Sequence, residues 1–135
     1  MAARFQELEK NVLALTAWRY ASHYGSHTPQ LMVAQVIANR YRKGWGSLLA
    51  IIDRMPKYDA APPTTKGFPE AWDKSFLRSL SEIDPIYEGT ARDSVNGALY
   101  FGDTTNVQNE FFLNQIARNP EHHMVCNLAS LTFWD

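Results

Sequence analysis

The chain lacks the features that would assign it to several common classes of protein. Its single cysteine, Cys126, excludes an internal disulfide and leaves no cysteine-based metal site. Thirteen basic and 14 acidic residues give a net charge of -1, so the basic excess that a nucleic-acid binder needs is missing. One small basic cluster, Arg40, Arg42 and Lys43, lies at a predicted helix C-terminus, where we expect it to interact with the helix dipole. Nucleic acid is therefore not an expected partner.

Long apolar runs are also absent. The run Val12–Ala17 is far shorter than the roughly 20 residues of a membrane-spanning helix. It follows Glu7 and Glu9 rather than a purely basic segment, which is not typical of a signal peptide. We therefore expect neither membrane insertion nor a signal peptide, and a protein that is cytoplasmic when it is made.

What the sequence does contain is sufficient for one packed domain. Hydrophobic residues are 45% and aromatic residues 13% of a chain whose length is typical of one domain, so residues 1–135 are assigned to a single domain. Apolar periodicity and end signals predict helices over residues 3–24, 28–41, 48–53, 69–84, 90–99 and 110–118. Weak alternation over residues 124–134 predicts a β-hairpin arm that pairs with residues 98–102. The predicted fold class is mainly α, of the α+β type, with a few short strands near the C-terminus.

Glycine and proline determine most of the predicted helix boundaries. Gly25 is expected to end the first helix, and Thr28 with Pro29 to begin the second. Pro56 is expected to end the third helix and Pro85 the fourth, because proline lacks the N–H that a helix interior requires.

Polar caps and a proline-rich segment complete this outline. Thr90 followed by Asp93 resembles a capping box for the fifth helix, and Asn109 can cap the sixth. Residues 56–69 hold four of the seven prolines and predict a long surface loop.

The most informative segment is residues 13–42, where two short motifs flank a turn that contains glycine. The first reads Trp-Arg-Tyr-Ala over residues 18–21, and the second Val-Ala-Gln-Val-Ile-Ala-Asn-Arg over residues 33–40. Together they resemble the opening helix pair of the SleB-type cell-wall hydrolases, the spore-cortex-lytic and phage enzymes that cleave peptidoglycan. Ala-Leu-Tyr-Phe at residues 98–101 and the aromatic stretch 131–134 resemble later parts of the same family, so the likeness covers most of the chain.

The resemblance implies a lysozyme-like helical domain with a glycan cleft, and it places the catalytic glutamate of the family at Tyr20. Glycosidic cleavage needs a carboxylic acid to protonate the leaving oxygen. A phenol with a pKa of about 10 is a poor substitute for a carboxyl tuned to about 6. A slipped alignment would place Ala21 or Ser22 there, so it does not restore a glutamate. The catalytic group is therefore unknown.

Another carboxylate could replace the missing acid. The candidates outside the first helix are Asp59, Asp73, Glu88, Asp103 and Glu110, each of which is explained more simply as a surface charge or a helix cap. Asp59 is the most interesting, because it lies in the predicted 56–69 loop that should overhang the cleft.

Six residues are predicted to contact glycan: Tyr20, His23, Gln35, Asn39, Tyr58 and Tyr100. Gln35 and Asn39 lie one turn apart on an apolar helix, and an internal hydrogen-bond anchor is favoured over direct sugar contact. His122 and His123 would point to opposite faces of an extended segment, and without a third ligand they predict no metal site. No cofactor is expected.

Two functions are consistent with these features. In the first, which the missing glutamate favours, the domain is catalytically impaired and binds peptidoglycan strands or serves as a structural protein of a phage virion, with other virion proteins as partners. In the second, it is an active peptidoglycan-cleaving enzyme that uses a displaced carboxylate. Either protein would reach a cell wall through a virion or through lysis. A helical adaptor unrelated to glycans fits the composition but not the order of the motifs.

Overall fold

The predicted mainly helical α+β class is confirmed. The computed structural model describes residues 2–59, 69–70, 73–103 and 111–135, with the backbone alone for residues 2–5. The helices are α1 (Ala2–Ala21) with a following 3-10 turn (Ser22–Tyr24), α2 (His27–Arg42), α3 (Leu48–Tyr58), α4 (Lys74–Glu88) and a short π-helix (Phe112–Ala117). The strands are β1 (Tyr100–Asp103), β2 (Met124–Leu128) and β3 (Leu131–Trp134).

Helix α2 forms the centre of the helical part, between α1 and α4. Its residues Val33, Val36 and Ile37 are fully buried and belong to one apolar cluster with Leu13 of α1 and Ile83 of α4. A helix that is apolar on most sides is stable only when neighbours cover it, which explains the central position. In the part of the chain that the structure describes, none of the helices combines the length and apolarity needed to cross a membrane.

The three strands form an antiparallel sheet in the order β1-β3-β2. Phe101 of β1 lies opposite Phe133 of β3, and β2 joins β3 as a hairpin. The predicted hairpin and its pairing with the segment that ends at Gly102 are therefore confirmed. A Cβ atom on Gly102 would lie 2.4 Å from the ring of Phe112, so only glycine lets the π-helix pack this closely on β1.

The turn between α1 and α2 lies close to its predicted position. Gly25 adopts the left-handed conformation with a φ of 81°, and its N–H donates to the carbonyl of Ser22, as expected of a helix stop. Helix α2 follows Ser26, so Thr28 is not its N-cap and Pro29 lies inside the first turn. A proline is tolerated there because the first N–H groups of a helix have no intrahelical partner.

The prediction that Pro56 and Pro85 end helices is wrong. Helix α3 continues through Pro56 to Tyr58, and α4 continues through Pro85 to Glu88. Each proline lies near the end of its helix, where contacts of the last turn offset the lost hydrogen bond. The N–H of Asp59 donates to the carbonyl of Met55 at 2.7 Å and so closes α3.

Helix α4 begins later than expected. Its N-cap is Asp73, whose carboxylate accepts the N–H of Phe76 at 3.0 Å, so the helix starts at Lys74 rather than at residue 69. Trp72, which the predicted helix included, lies outside the described residues.

The predicted helix over residues 90–99 is also wrong. Instead of capping a helix, the Asp93 side chain accepts the N–H groups of Val95 and Gly97, both at 2.9 Å, and closes a turn. The predicted cap Asn109 lies outside the described residues, and the later part of its predicted helix is the π-helix.

Candidate functional site

The position at which the resemblance expects the acid is filled by a buried ring. Tyr20 is 8% exposed, and its ring packs edge-on against Phe101 at a centroid distance of 5.5 Å. Burial raises the pKa of the Tyr20 hydroxyl, and the charge of Asp59 raises it further, while Arg40 opposes both. A phenol whose pKa is raised is an even weaker acid than free tyrosine. Tyr20 is therefore a packing residue.

Asp59, the preferred substitute acid, is bound to Arg40 in the interior. The two terminal nitrogens of the guanidinium each donate to one carboxylate oxygen at 2.8 Å, and both side chains are fully buried. The Nε atom of Arg40 also donates to the carbonyl of Leu99 at 2.7 Å. Asp59 thus lies at the end of α3 rather than in an exposed loop. The pair ties α3, α2 and the start of β1 together, and Arg40 serves this contact rather than the dipole of its own helix.

Burial and pairing act in opposite directions on this carboxyl. Burial raises the pKa of Asp59 because it disfavours the charged form, whereas the Arg40 guanidinium lowers it. Both carboxylate oxygens accept hydrogen bonds from Arg40, so the carboxylate serves to hold the fold together.

Gln35 and Asn39 form an internal network. The amide nitrogen of Gln35 donates to the side-chain oxygen of Asn39 at 3.0 Å. Asn39 in turn donates to Asp93 at 3.2 Å and to the carbonyl of Ala98 at 3.1 Å. These bonds tie α2 to the turn that precedes β1, which is the anchoring role favoured by the sequence.

Two other candidate acids have structural partners. Asp73 caps α4 and accepts a hydrogen bond from the indole nitrogen of Trp18 at 2.9 Å. Burial acts to raise the pKa of Asp73, but the hydrogen bonds that it accepts outweigh this effect and lower it. Glu88 lies 3.6 Å from the Lys10 ammonium at the surface. Glu110, the fifth candidate, lies outside the described residues.

Asp103 lies on the same strand as the residue that packs on Tyr20. Phe101, two residues earlier on β1, contacts the Tyr20 ring, and Asp103 accepts a hydrogen bond from the hydroxyl of Tyr24. Burial and this hydrogen bond raise the pKa of Tyr24. A hydrogen bond donated to a carboxylate favours its charged form, so in this pair Asp103 acts as an acceptor.

Partly exposed rings form a continuous row close to the buried ion pair. The ring centroids of successive members lie 5.3 to 5.5 Å apart. We name this set the aromatic row, and its members in spatial order are Phe111, Tyr58, Trp45, Tyr100 and His122. The row contains two of the predicted glycan contacts, Tyr58 and Tyr100. The other members were not predicted as glycan contacts, although an aromatic residue between Gly44 and Gly46 is a signal that could have identified Trp45.

The guanidinium of the buried Arg40 contacts two rings of the row. Its central carbon lies 5.0 Å from the ring centroid of Trp45 and 5.9 Å from that of Tyr100, distances typical of cation–π contacts. Beside these rings, a small pocket of about 90 Å³ is lined by Trp45, Ile51, Arg54 and Tyr58. Burial raises the pKa of Tyr100, with Arg40 opposing.

Three of the four histidines contact Tyr24 or Asp135. His23 is exposed and stacks on Tyr24 at a centroid distance of 4.0 Å. The Nδ1 atom of His122 lies 2.7 Å from the carbonyl of Asp135, and the Nδ1 atom of His123 lies 3.7 Å from the carboxylate of the same residue. Within the described ranges, no group of three or more His, Cys, Asp or Glu side chains is placed to hold a metal ion.

The structure therefore brings Tyr58 and Tyr100 together at the surface and places Tyr20 near the Arg40–Asp59 pair. Gln35, Asn39 and His23 belong to other contacts. Comparison of the chain with protein-family models, with curated proteins and with solved structures found no match.

Proposed function

We propose that this chain is a peptidoglycan-hydrolase-like domain that binds cell-wall glycan along the aromatic row without cleaving it. The observation that carries the proposal is the row itself, whose rings are half-buried and contact one another without a break. Aromatic rings offer rigid apolar surface to which the C–H faces of sugars can pack. A strip of rings fits a polymer better than a single sugar, and a glycan strand is such a polymer.

The contacts of the candidate carboxylates support binding without cleavage. Both oxygens of Asp59 accept from Arg40, Asp73 caps a helix, and Asp103 accepts from Tyr24. Tyr20 offers only a phenol of raised pKa where the resemblance expects a glutamate. Attachment to a wall without lysis suits a virion-associated protein, and we include that setting in the proposal.

The alternative function, cleavage by a displaced carboxylate, rests on Asp103. This residue shares β1 with Phe101, which packs on Tyr20, so it lies close to the position expected of the acid. Its carboxylate already accepts a hydrogen bond from the Tyr24 hydroxyl, and for that reason we favour the binding function.

The experiment is cosedimentation of the purified protein with bacterial sacculi, combined with an assay for released muropeptides. We expect binding, and no release above a heat-killed control. Tyr58→Ala and Tyr100→Ala should each weaken binding by about 2- to 13-fold, because an aromatic contact contributes about 0.5–1.5 kcal/mol. Leu77→Ala is the matched control, since Leu77 is a large apolar side chain, 49% exposed, outside the row.

Equal binding by the double variant Tyr58→Ala/Tyr100→Ala would show that the row is not the glycan surface. Release of anhydro-muropeptides that disappears in Asp103→Asn would establish the enzymatic alternative.

A further inference from the structure

A separate cavity of about 160 Å³ opens between the helices and shares no residue with the aromatic row. Its floor consists of Leu13, Ala38 and Leu48, which are at most 6% exposed. The floor is therefore apolar and almost completely buried, and the cavity reaches it only between the side chains of the rim.

The rim of this cavity carries opposite charges. Glu9 accepts a hydrogen bond from the Tyr87 hydroxyl at 2.6 Å, and Arg42 donates to the carbonyl of Ile86 at 2.8 Å. The ring of Tyr41, which is 56% exposed, completes the rim. Across the part of the chain that the structure describes, Glu9 and Arg42 form no ion pair with each other. The carboxylate and the guanidinium thus face one cavity without neutralising each other.

We propose that this cavity, which we name the Glu9–Arg42 pocket, binds an α-amino acid group in its zwitterionic form. The Arg42 guanidinium would hold the carboxylate of the ligand, because its planar fork matches carboxylate geometry. Glu9 and the two tyrosine rings would hold the ammonium group, since carboxylates and aromatic rings both attract such cations. The side chain of the ligand would lie on the apolar floor.

The size of the pocket limits this side chain. A cavity of about 160 Å³ that narrows to a buried floor suits a side chain as small as that of alanine. The ligand can be a free amino acid or the free end of a diamino acid in a wall stem peptide, because both carry the ammonium and the carboxylate on one carbon. The inference does not depend on the proposed glycan site.

The test is an NMR titration of the whole protein with alanine. The measured quantities are the chemical shifts of the backbone amides of Tyr41, Arg42 and Tyr87. We expect saturable shifts at these positions. N-acetylalanine lacks the ammonium and alaninamide lacks the carboxylate, so each should bind at least tenfold more weakly than alanine.

Variants assign the effect to the two charges. Glu9→Gln and Arg42→Gln should each weaken alanine binding by about tenfold or more. Glu7→Gln and Lys43→Gln remove the same charges from exposed positions outside the pocket and should leave binding unchanged. Arg42→Lys keeps the positive charge and should retain part of the binding, which separates loss of the ligand contact from loosening of the end of α4.

The absence of saturable shifts with alanine would overturn the proposal, as would equal binding of the two single-charge analogues. A muropeptide with a free diaminopimelate end distinguishes the two sources. If this muropeptide binds more tightly than alanine, the natural ligand is the wall peptide. If it binds more weakly, the natural ligand is a free amino acid. The same titration with Tyr58→Ala/Tyr100→Ala should give unchanged results, which keeps this site distinct from the glycan site.

Discussion

The buried ion pair and the aromatic row are neighbours, yet they differ in how far their side chains are already engaged. Arg40 and Asp59 are fully buried and satisfy each other in a bidentate contact. The rings of Tyr58 and Tyr100 contact other rings and remain partly exposed. A side chain can act on a ligand only when its contacts are incomplete in the free protein. The charged pair therefore belongs to the scaffold, whereas the rings keep exposed surface, which is why we propose them as the binding part.

Breaking the ion pair should have the largest effect. Asp59→Asn removes one charge and leaves the Arg40 guanidinium buried without a counterion, so we expect the free energy of unfolding to fall by about 3–5 kcal/mol. Urea denaturation measures this loss. Glu82→Gln, which removes the partly exposed carboxylate that contacts Arg78 and His27, should change the stability by only about 0.2–1 kcal/mol.

A double variant tests whether the loss of stability comes from the unpaired charge of Arg40. Arg40→Met/Asp59→Leu replaces both charges with apolar groups and should be more stable than Asp59→Asn. If Asp59→Asn is as stable as the parent protein, the pair is not the element that secures the end of α3.

Restoring the expected acid should have the next largest effect. Tyr20→Glu removes a buried ring and buries a carboxyl, so we expect a loss of roughly 1–4 kcal/mol in unfolding free energy. Burial should raise the pKa of the new carboxyl above its unfolded value of about 4.3. The folded state then binds the proton more tightly than the unfolded state, so the variant is least destabilised at acidic pH. It loses further stability as the pH rises through the folded pKa.

Unfolding curves of Tyr20→Glu and Tyr20→Gln, recorded at about pH 5 and about pH 8, measure this dependence. Only the glutamate variant should show it. Weak release of muropeptides by Tyr20→Glu alone would indicate that the remainder of the cleft is preserved. A folded variant without release and without glycan binding would favour a purely structural role.

A third change tests how the scaffold positions the row. Gly102→Ala would place a methyl group 2.4 Å from the ring of Phe112, and such overpacking costs about 1–3 kcal/mol. Phe112 follows Phe111 of the row directly, so sacculus binding should weaken together with stability. Adding Phe112→Leu makes room for the methyl group and should recover part of the stability in thermal unfolding. Unchanged binding in a destabilised Gly102→Ala protein would show that the row does not need this support.

The smallest expected effect is the change in stability at alkaline pH that comes from the ionisation of Tyr87. Burial and the hydrogen bond to Glu9 raise the pKa of Tyr87 to about 12, above the unfolded value of about 10. Since the folded pKa is the higher one, this contribution to stability is complete below pH 10 and is lost as the pH rises from about 10 to about 12. Ultraviolet detection of tyrosinate follows the titration. Glu9→Gln should bring the ionisation of Tyr87 closer to that of free tyrosine and leave Tyr20 unaffected.

Local signals were sufficient for several elements of the fold. The left-handed Gly25 ends its helix, and the alternating residues 124–134 form a hairpin, through hydrogen bonds between residues close in sequence. Both predictions are confirmed. The predicted ends at Pro56 and Pro85 are wrong, because contacts with residues distant in sequence decide those ends. The Arg40–Asp59 pair anchors α3 just beyond Pro56, and Arg42 binds the carbonyl next to Pro85.

The candidate site was predictable only in part. Tyr58 and Tyr100 were selected as aromatic residues near the expected cleft, and both belong to the row. Phe111 and His122 come from other segments of the chain, and no sequence pattern predicts that they meet Tyr58 and Tyr100. The burial of Arg40 had a signal, since it follows Val36 by four residues on the apolar stripe of α2 and so requires a buried counterion.

Strand β3 is the last of the three strands in the chain, yet it lies between the other two. The hairpin of β2 and β3 is local and can form within about 1–10 μs, whereas β1 has no strand partner until β3 is in place. We therefore expect β1, and with it Tyr100, to be positioned after the rest of the sheet. During synthesis the ring of Tyr58 emerges long before β3 is made. A partly synthesised chain thus lacks an ordered aromatic row, and the row is complete only after the sheet has closed.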